Sequence, residues 1–220
     1  MHAFKSIELE ARSLLADMEK HAPQLWPNTP PARLYMCDPE AACRHLGLRY
    51  LPDSHLGKTG NTATAGMLDR HTRSVLLSSK QSFEALRFTA AHEVGHWVLH
   101  PGQVMFRDRS LGSPGGTSRP EIEQEADFFA ACFLMPPKLL RDAFRTLFPV
   151  REPLTNTGVV CFNLPNGRHL EGLPPGSLEF ALAVGKAESF NGRRFESLSR
   201  LFGVSPIAMA IRLRELELVR

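Results

Sequence analysis

Residues 81–100 read QSFEALRFTAAHEVGHWVLH, and the interpretation of this stretch decides the fold. Phe83, Leu86, Ala90, Val94 and Trp97 recur at helical spacing, and Pro101-Gly102 closes the run, so a helix is predicted from Gln81 to His100. His92 and His96 stand at i and i+4 on one face, about 6 Å apart along the axis, where both imidazoles can reach one ion. Glu93 between them is placed to take a proton from water at that ion. Zinc held this way makes a water-derived nucleophile available near neutral pH, but the chemistry needs three protein ligands and an open position. The motif supplies two, so a third must come from elsewhere in the chain.

The second stretch that carries chemistry is EIEQEADFFA, residues 121–130, on a predicted helix of about Glu121 to Met135 stopped by Pro136-Pro137. Glu123 and Asp127 again stand at i and i+4. The spacing predicts Glu123 as the third ligand and Asp127 as acceptor for the ring N–H of a ligand histidine. Glu125, roughly 200° around the helix from Glu123, is the alternative ligand. Favouring the helix dipole would need only Glu121, so three glutamates and an aspartate ahead of FFAACFLM ask for another role. Phe128 and Leu134 are expected to face other packing surfaces. His100, about 12 Å along the axis from His92, is too far for the same ion and is expected to interact with the helix dipole. His45, His55, His71 and His169 have no partner spacing and default to surface or substrate-side positions, where one could hydrogen-bond an oxyanion. Two histidines and a carboxylate suit zinc, although manganese or iron accept the same donors.

Around these helices the chain reads as α+β, mostly helical with a small β-sheet packed on the active-site helix. An amphipathic helix is expected over residues 4–20 and a short one from an Asp38 cap to His45, with strands at 48–51, 65–69 and 74–77. The Gly/Thr/Asn-rich stretch between the first two strands is expected to be a loop. Residues 101–119, poor in apolar side chains, are expected to form a mobile loop, and 149–177, broken by Pro and Gly, to be irregular or a short hairpin. Residues 138–148 and 178–220 read as helical, the latter interrupted at 203–205. The division expected is 1–148 as the core and 149–220 as an insertion and a helical region packed on it.

With 220 residues, 43% hydrophobic content and a net charge of +3, the chain is globular, and its charge balance alone singles out no nucleic-acid partner. No apolar run reaches membrane-spanning length, and Met1 to Glu10 carry charges throughout, so no membrane partner and a cytoplasmic location are expected. Cys37, Cys43, Cys132 and Cys161 are spaced neither as metal pairs nor as a disulfide framework, and are expected to be reduced thiols.

Residues 88–100 (FTAAHEVGHWVLH), 122–130 (IEQEADFFA) and Leu134-Met135-Pro136 together resemble the ImmA/IrrE family of metallo-endopeptidases. The closing segment from Phe202 to Val219 is similar to that family's last helices. The resemblance implies a zincin-like peptidase core with ligands at His92, His96 and Glu123, one zinc ion, and the base at Glu93. It further implies cleavage of an XRE-type helix-turn-helix repressor in bacterial or phage regulation of the stress-response or mobile-element kind. Asp127 stands where asparagine is also common in the family, and 149–177 is longer than expected of a minimal member. Some relatives carry their own DNA-binding domain at the N-terminus, for which no room is expected here.

A competing reading starts at residues 195–216, which have the outline of a helix-turn-helix. Arg193, Arg194, Arg200, Arg212 and Arg214 could meet phosphates there, making the protein a DNA-binding regulator with a structural or sensory zinc. Glu196, Glu215 and Glu217 dilute that charge, and alanine, methionine and isoleucine dominate the second helix, which favours packing or partner docking. A toxin or antitoxin component that acts by binding alone is a third possibility.

Overall fold

Ile7, Ala11, Leu14 and Met18 recur every three or four residues, and they form the buried stripe of α1 (Phe4–Lys20). The computed structural model describes residues 4–29, 31–56, 58–59, 62–102, 105–109 and 120–220. They form two compact units, Met1–Leu134 and Met135–Arg220, so the helix expected at 138–148 is counted with the second.

In the first unit, α1 is followed by the single turn of α2 (Ala22–Leu25), a 3-10 turn at Arg33–Met36 and α3 (Pro39–His45). Asp38 caps α3 by accepting from the Glu40 amide, and Gly47 follows at φ +67°, a left-handed conformation that costs glycine little. The expected strands appear as β1 (Arg49–Ser54), then, after the short β2 (Lys58–Thr59), β3 (Thr62–Asp69) and β4 (Ser74–Ser78). β2 falls inside the stretch expected to be a loop, where residues 57, 60 and 61 lie outside the described residues. β1 runs parallel to β4, and β4 pairs antiparallel with β3.

α4 (Phe83–Leu99) starts at Ser82, whose hydroxyl accepts from the Ala85 amide. Residues 89–96 of α4 are buried without a break, so this part of the helix presents no face to water and must be enclosed. It lies against β3 and β4 on one side and α5 (Glu121–Leu134) on the other. Between α4 and α5 in sequence comes β5 (Met105–Arg109), paired antiparallel with β3. This corrects the expectation of a loop over 101–119, of which residues 103, 104 and 110–119 lie outside the described residues. The edge of β3 recruits this segment by backbone hydrogen bonds, which apolar patterning does not signal.

Gly95, the glycine of the HEVGH motif, sits where α4 meets α5. A Cβ there would lie 3.1 Å from Phe129 Cδ1 and 3.2 Å from the Ala126 carbonyl. Its helix-propensity cost of about 1 kcal/mol is offset by the close approach it permits. Phe128 packs edge-on against Phe4 of α1 at 4.8 Å between ring centres, and Leu134 is fully buried, as their positions predict.

The second unit holds α6 (Pro137–Leu147), α7 (Gly158–Asn163), a 3-10 turn at Gly167–Leu170, α8 (Leu178–Lys186), a two-stranded ribbon of β6 (Ser189–Phe190) and β7 (Arg193–Arg194), α9 (Leu198–Leu201) and α10 (Pro206–Glu215). The stretch 149–177 is therefore helical in two places and forms no hairpin. Leu154 pairs with Val219 instead, and the Asn156 amide donates to the Leu170 and Leu173 carbonyls. Those carbonyls are distant in sequence, which is why the segment reads as irregular. Phe148 meets Phe144, Phe190 and Phe195 at 5.1–5.6 Å between ring centres, and α8 packs on α10. The first helix of the expected helix-turn-helix shortens to the four residues of α9. The ribbon precedes it, and Ser197, its cap, accepts from the Arg200 amide. Arg212, counted above among the phosphate-facing arginines, is 1% exposed; it donates to the Met135 carbonyl and pairs with Glu215 at 3.0 Å.

Candidate metal centre

α4 turns His92 and His96 toward α5 with both rings fully buried and their centroids 4.6 Å apart. Across from them, Glu123 in the first turn of α5 brings Oε2 to 3.2 Å from His92 Nε2 and Oε1 to 3.4 Å from His96 Nε2. The three residues thus offer two nitrogens and one oxygen around a common point, and all their donor atoms lie within 4.8 Å of one another. Among the described residues one other such group occurs, Asp17, His21 and His45. Its contacts are surface hydrogen bonds: His45 Nε2 to Asp17 Oδ2 at 2.7 Å, and His21 Nδ1 to the Asp17 carbonyl at 2.9 Å. His45 therefore has a partner on α1, which sequence spacing did not reveal.

The far nitrogens of the two buried rings are also engaged. His92 Nδ1 lies 2.9 Å from Asp127 Oδ1, so the acid one turn beyond Glu123 stands where the i, i+4 spacing predicts. His96 Nδ1 lies 3.1 Å from His100 Nδ1, and His100 Nε2 lies 2.9 Å from Glu125 Oε2. His100 is the C-cap of α4, as its place at the helix end suggests, but its ring does more than meet the dipole: it bridges His96 to α5. Its φ of −124° and ψ of 62° leave the helical path and carry the ring across. Glu125, the alternative ligand, makes this contact with His100, and the group of donors that could hold an ion contains Glu123.

Carboxylates only accept hydrogen bonds, and this orients the protons. With one proton per ring, Asp127 draws the His92 proton to Nδ1. Glu125 draws the His100 proton to Nε2, leaving His100 Nδ1 to accept from His96 Nδ1–H. Both ligand-side Nε2 atoms then present lone pairs to Glu123, an all-acceptor arrangement that a shared cation relieves. Burial pushes the His96 pKa down to about 4, so the ring is neutral, as a metal ligand must be. Burial alone would raise the Glu123 carboxyl, but its closeness to the His92 and His96 imidazoles outweighs burial and holds the group ionised, well below its ordinary range. Two neutral imidazoles and a carboxylate fit zinc with one coordination position left over.

Glu93, fully buried, lies beside Gly66 of β3: a Cβ on Gly66 would come within 2.8 Å of Glu93 Oε1. The side chains of Glu123 and Asp127 keep 18% and 27% exposure, so water reaches the group from the α5 side. Arg70 anchors the end of α4. Its Nη2 donates to the carbonyls of His96, Trp97 and His100 at 2.7–3.0 Å, and its guanidinium lies 4.6 Å from the Trp97 ring centre.

Residues 55–159 match the Peptidase_M78 family, described as the IrrE N-terminal-like domain. That stretch of the chain is similar to an IrrE-type peptidase domain. The resemblance to the ImmA/IrrE family read from the motifs holds, and the family is one of metallopeptidases. No curated protein matches the chain. The matched stretch of the IrrE-like domain contains β3, β4, α4 and α5, so every residue of the buried group lies within it. Sequence reasoning missed three residues of this group's surroundings: Arg70, Gly66 and the bridging role of His100. Only His100 had a signal, a third histidine four residues after His96 on the same helix face. None of His55, His71 or His169 joins the group; His169 lies 3.7 Å from Glu179. The four cysteines are buried and form no disulfide, and burial pushes the Cys37 and Cys43 thiols up to about 12, which makes them inert. No helix among the described residues is long and apolar enough to cross a membrane.

Proposed function

We propose that this chain is a cytoplasmic zinc-dependent endopeptidase that cleaves an XRE-type helix-turn-helix repressor and so relieves repression in a bacterial or phage regulatory circuit. The convergence of His92 Nε2, His96 Nε2 and the Glu123 carboxylate inside an IrrE-like domain carries the reading. A zinc ion held there would supply Lewis acidity and make water acidic enough to be deprotonated near pH 7. Glu93, next to the ligand His92, takes the proton of the attacking water and delivers it to the leaving amine. Asp127 holds the His92 ring through Nδ1, so that its Nε2 faces Glu123. Gly66 lets β3 lie against Glu93 and limits how far that carboxylate can swing. The substrate class rests on the family resemblance. Direct DNA reading has less support, because Arg212 is buried and α9 is a single turn.

The test is incubation with the repressor encoded beside this gene, with and without chelator, followed by mass spectrometry of fragments. Zinc-loaded protein is expected to give discrete fragments that chelator abolishes. Glu93→Gln should keep its zinc and lose at least 10²-fold in rate, the usual worth of a general base. Wild-type cleavage by Glu93→Gln would remove the base from the mechanism. An intact repressor after treatment with zinc-loaded protein would overturn the substrate, and a salt-dependent shift of operator DNA by the protein alone would favour the regulator reading.

A further inference from the structure

The acids of α5 divide their contacts unevenly. Glu123 faces both ligand nitrogens, Asp127 holds His92 directly, and Glu125 reaches His96 through His100. Asp127 is partly open to water, whereas His100 and Glu125 are 9% and 7% exposed. A buried carboxylate and imidazole are costly to desolvate unless they are paired, and here they are paired in line with a fully buried ligand ring. The line also crosses from the C-cap of α4 to α5, so it joins the two helices that supply the donors. Arg70 fixes the start of the line by holding the His96 and His100 carbonyls.

We propose that His100 and Glu125 are positioning residues for the metal centre: the chain Glu125–His100–His96 fixes the His96 ring and proton so that Nε2 is presented to the ion. This rests on the metallopeptidase reading above and extends it to residues that touch neither ion nor substrate. His96 Nδ1–H donates to His100 Nδ1, and His100 Nε2–H donates to Glu125, so the His96 proton is kept off the ligand nitrogen. Without His100, the His96 ring is free to turn about its χ2 bond or to carry its proton on Nε2, and either change removes a zinc donor. Partners of this kind beyond the ligands are worth about 10–100-fold in metal affinity.

The test measures zinc affinity by competition with a chromogenic chelator, together with the visible spectrum of the cobalt-substituted protein. The double variant His100→Phe/Glu125→Leu replaces the buried imidazole and its carboxylate by apolar groups of similar size, so the folding cost is confined to the His96 N–H that loses its acceptor. It should bind zinc about 10–100-fold more weakly and show an altered cobalt spectrum, with unchanged circular dichroism after chelation. His100→Gln keeps an oxygen to accept from His96 and an N–H to donate to Glu125, so it should restore most of the affinity; it also serves if the double variant does not fold. Wild-type zinc affinity and an unchanged cobalt spectrum in the folded double variant would overturn the positioning role while leaving the metal reading intact. So would a His100→Gln protein that binds no better than the double variant. Wild-type protein that binds no zinc would overturn both.

Discussion

Replacing Gly66 with alanine probes the contact between sheet and catalytic helix most directly. The new Cβ would sit 2.5 Å from Thr89 Cγ2 and 2.8 Å from Glu93 Oε1, against an ordinary carbon–carbon contact of about 3.5–4.0 Å. About 1 Å of movement is therefore required, and Thr89 is poorly placed to provide it. A β-branched side chain in a helix has few rotamers. Its hydroxyl donates to Gln81 Oε1 at 2.9 Å, and Gln81 Nε2 donates in turn to the Ala65 carbonyl at 2.8 Å. Rotating Thr89 away would break that link, worth about 1 kcal/mol, so β3 and α4 must separate or Glu93 must shift. Overpacking of this kind costs about 1–3 kcal/mol, and we expect about 2 kcal/mol for Gly66→Ala. Displacement of Glu93 by about 1 Å should lower kcat by about 10²-fold. Stability is read from urea unfolding of the metal-free protein, followed by tryptophan fluorescence with Trp97 reporting from α4. Thr89→Ser deletes the obstructing methyl and keeps the hydroxyl, so Gly66→Ala in that background should cost about 1 kcal/mol less. Activity should stay low, because the contact with Glu93 persists. An equal stability cost in both backgrounds, or a cost below about 0.5 kcal/mol, would refute the packing argument.

Arg70→Ala should destabilise by about 2 kcal/mol, since one guanidinium holds three carbonyls at the end of α4; an unchanged urea midpoint would deny it that role. The metal-free protein should weaken in mild acid. His96, pushed by burial to about 4 in the folded state, titrates near 6.5 when unfolded, so its contribution is complete above pH 6.5, falls as pH drops toward 4 and levels off below. The loss is on the order of 3 kcal/mol, and urea midpoints that stay flat between pH 7 and pH 4.5 would contradict it. Saturating zinc should raise the melting temperature of wild-type protein, by the equivalent of about 4 kcal/mol at a thousandfold excess over the dissociation constant. His92→Ala should abolish that shift, and a shift that survives would place the ion elsewhere.

Sequence alone was enough wherever the determinants lie within a turn or two of one another. HEVGH puts two imidazoles on one helix face, EIEQEAD puts two acids on another, and the 3.6-residue period guarantees both without any tertiary contact. For the same reason α1, α3 and the strands near residues 49, 65 and 74 could be read from apolar spacing and caps. The stop signals at Pro101-Gly102 and Pro136-Pro137 bounded the two helices correctly.

Tertiary structure decided what depends on where elements meet. The i, i+4 rule left Glu123 and Glu125 as rival ligands; only the crossing of α4 over α5 aims the first at both imidazoles and the second at His100. His45 gained its Asp17 partner and Arg70 its three carbonyls from contacts at separations of 26 residues or more. β5 exists because β3 offers it backbone hydrogen bonds, which its own composition does not advertise. Side-chain periodicity is a local property of the chain, whereas burial, proton placement and strand recruitment belong to pairs of surfaces that come together only on folding.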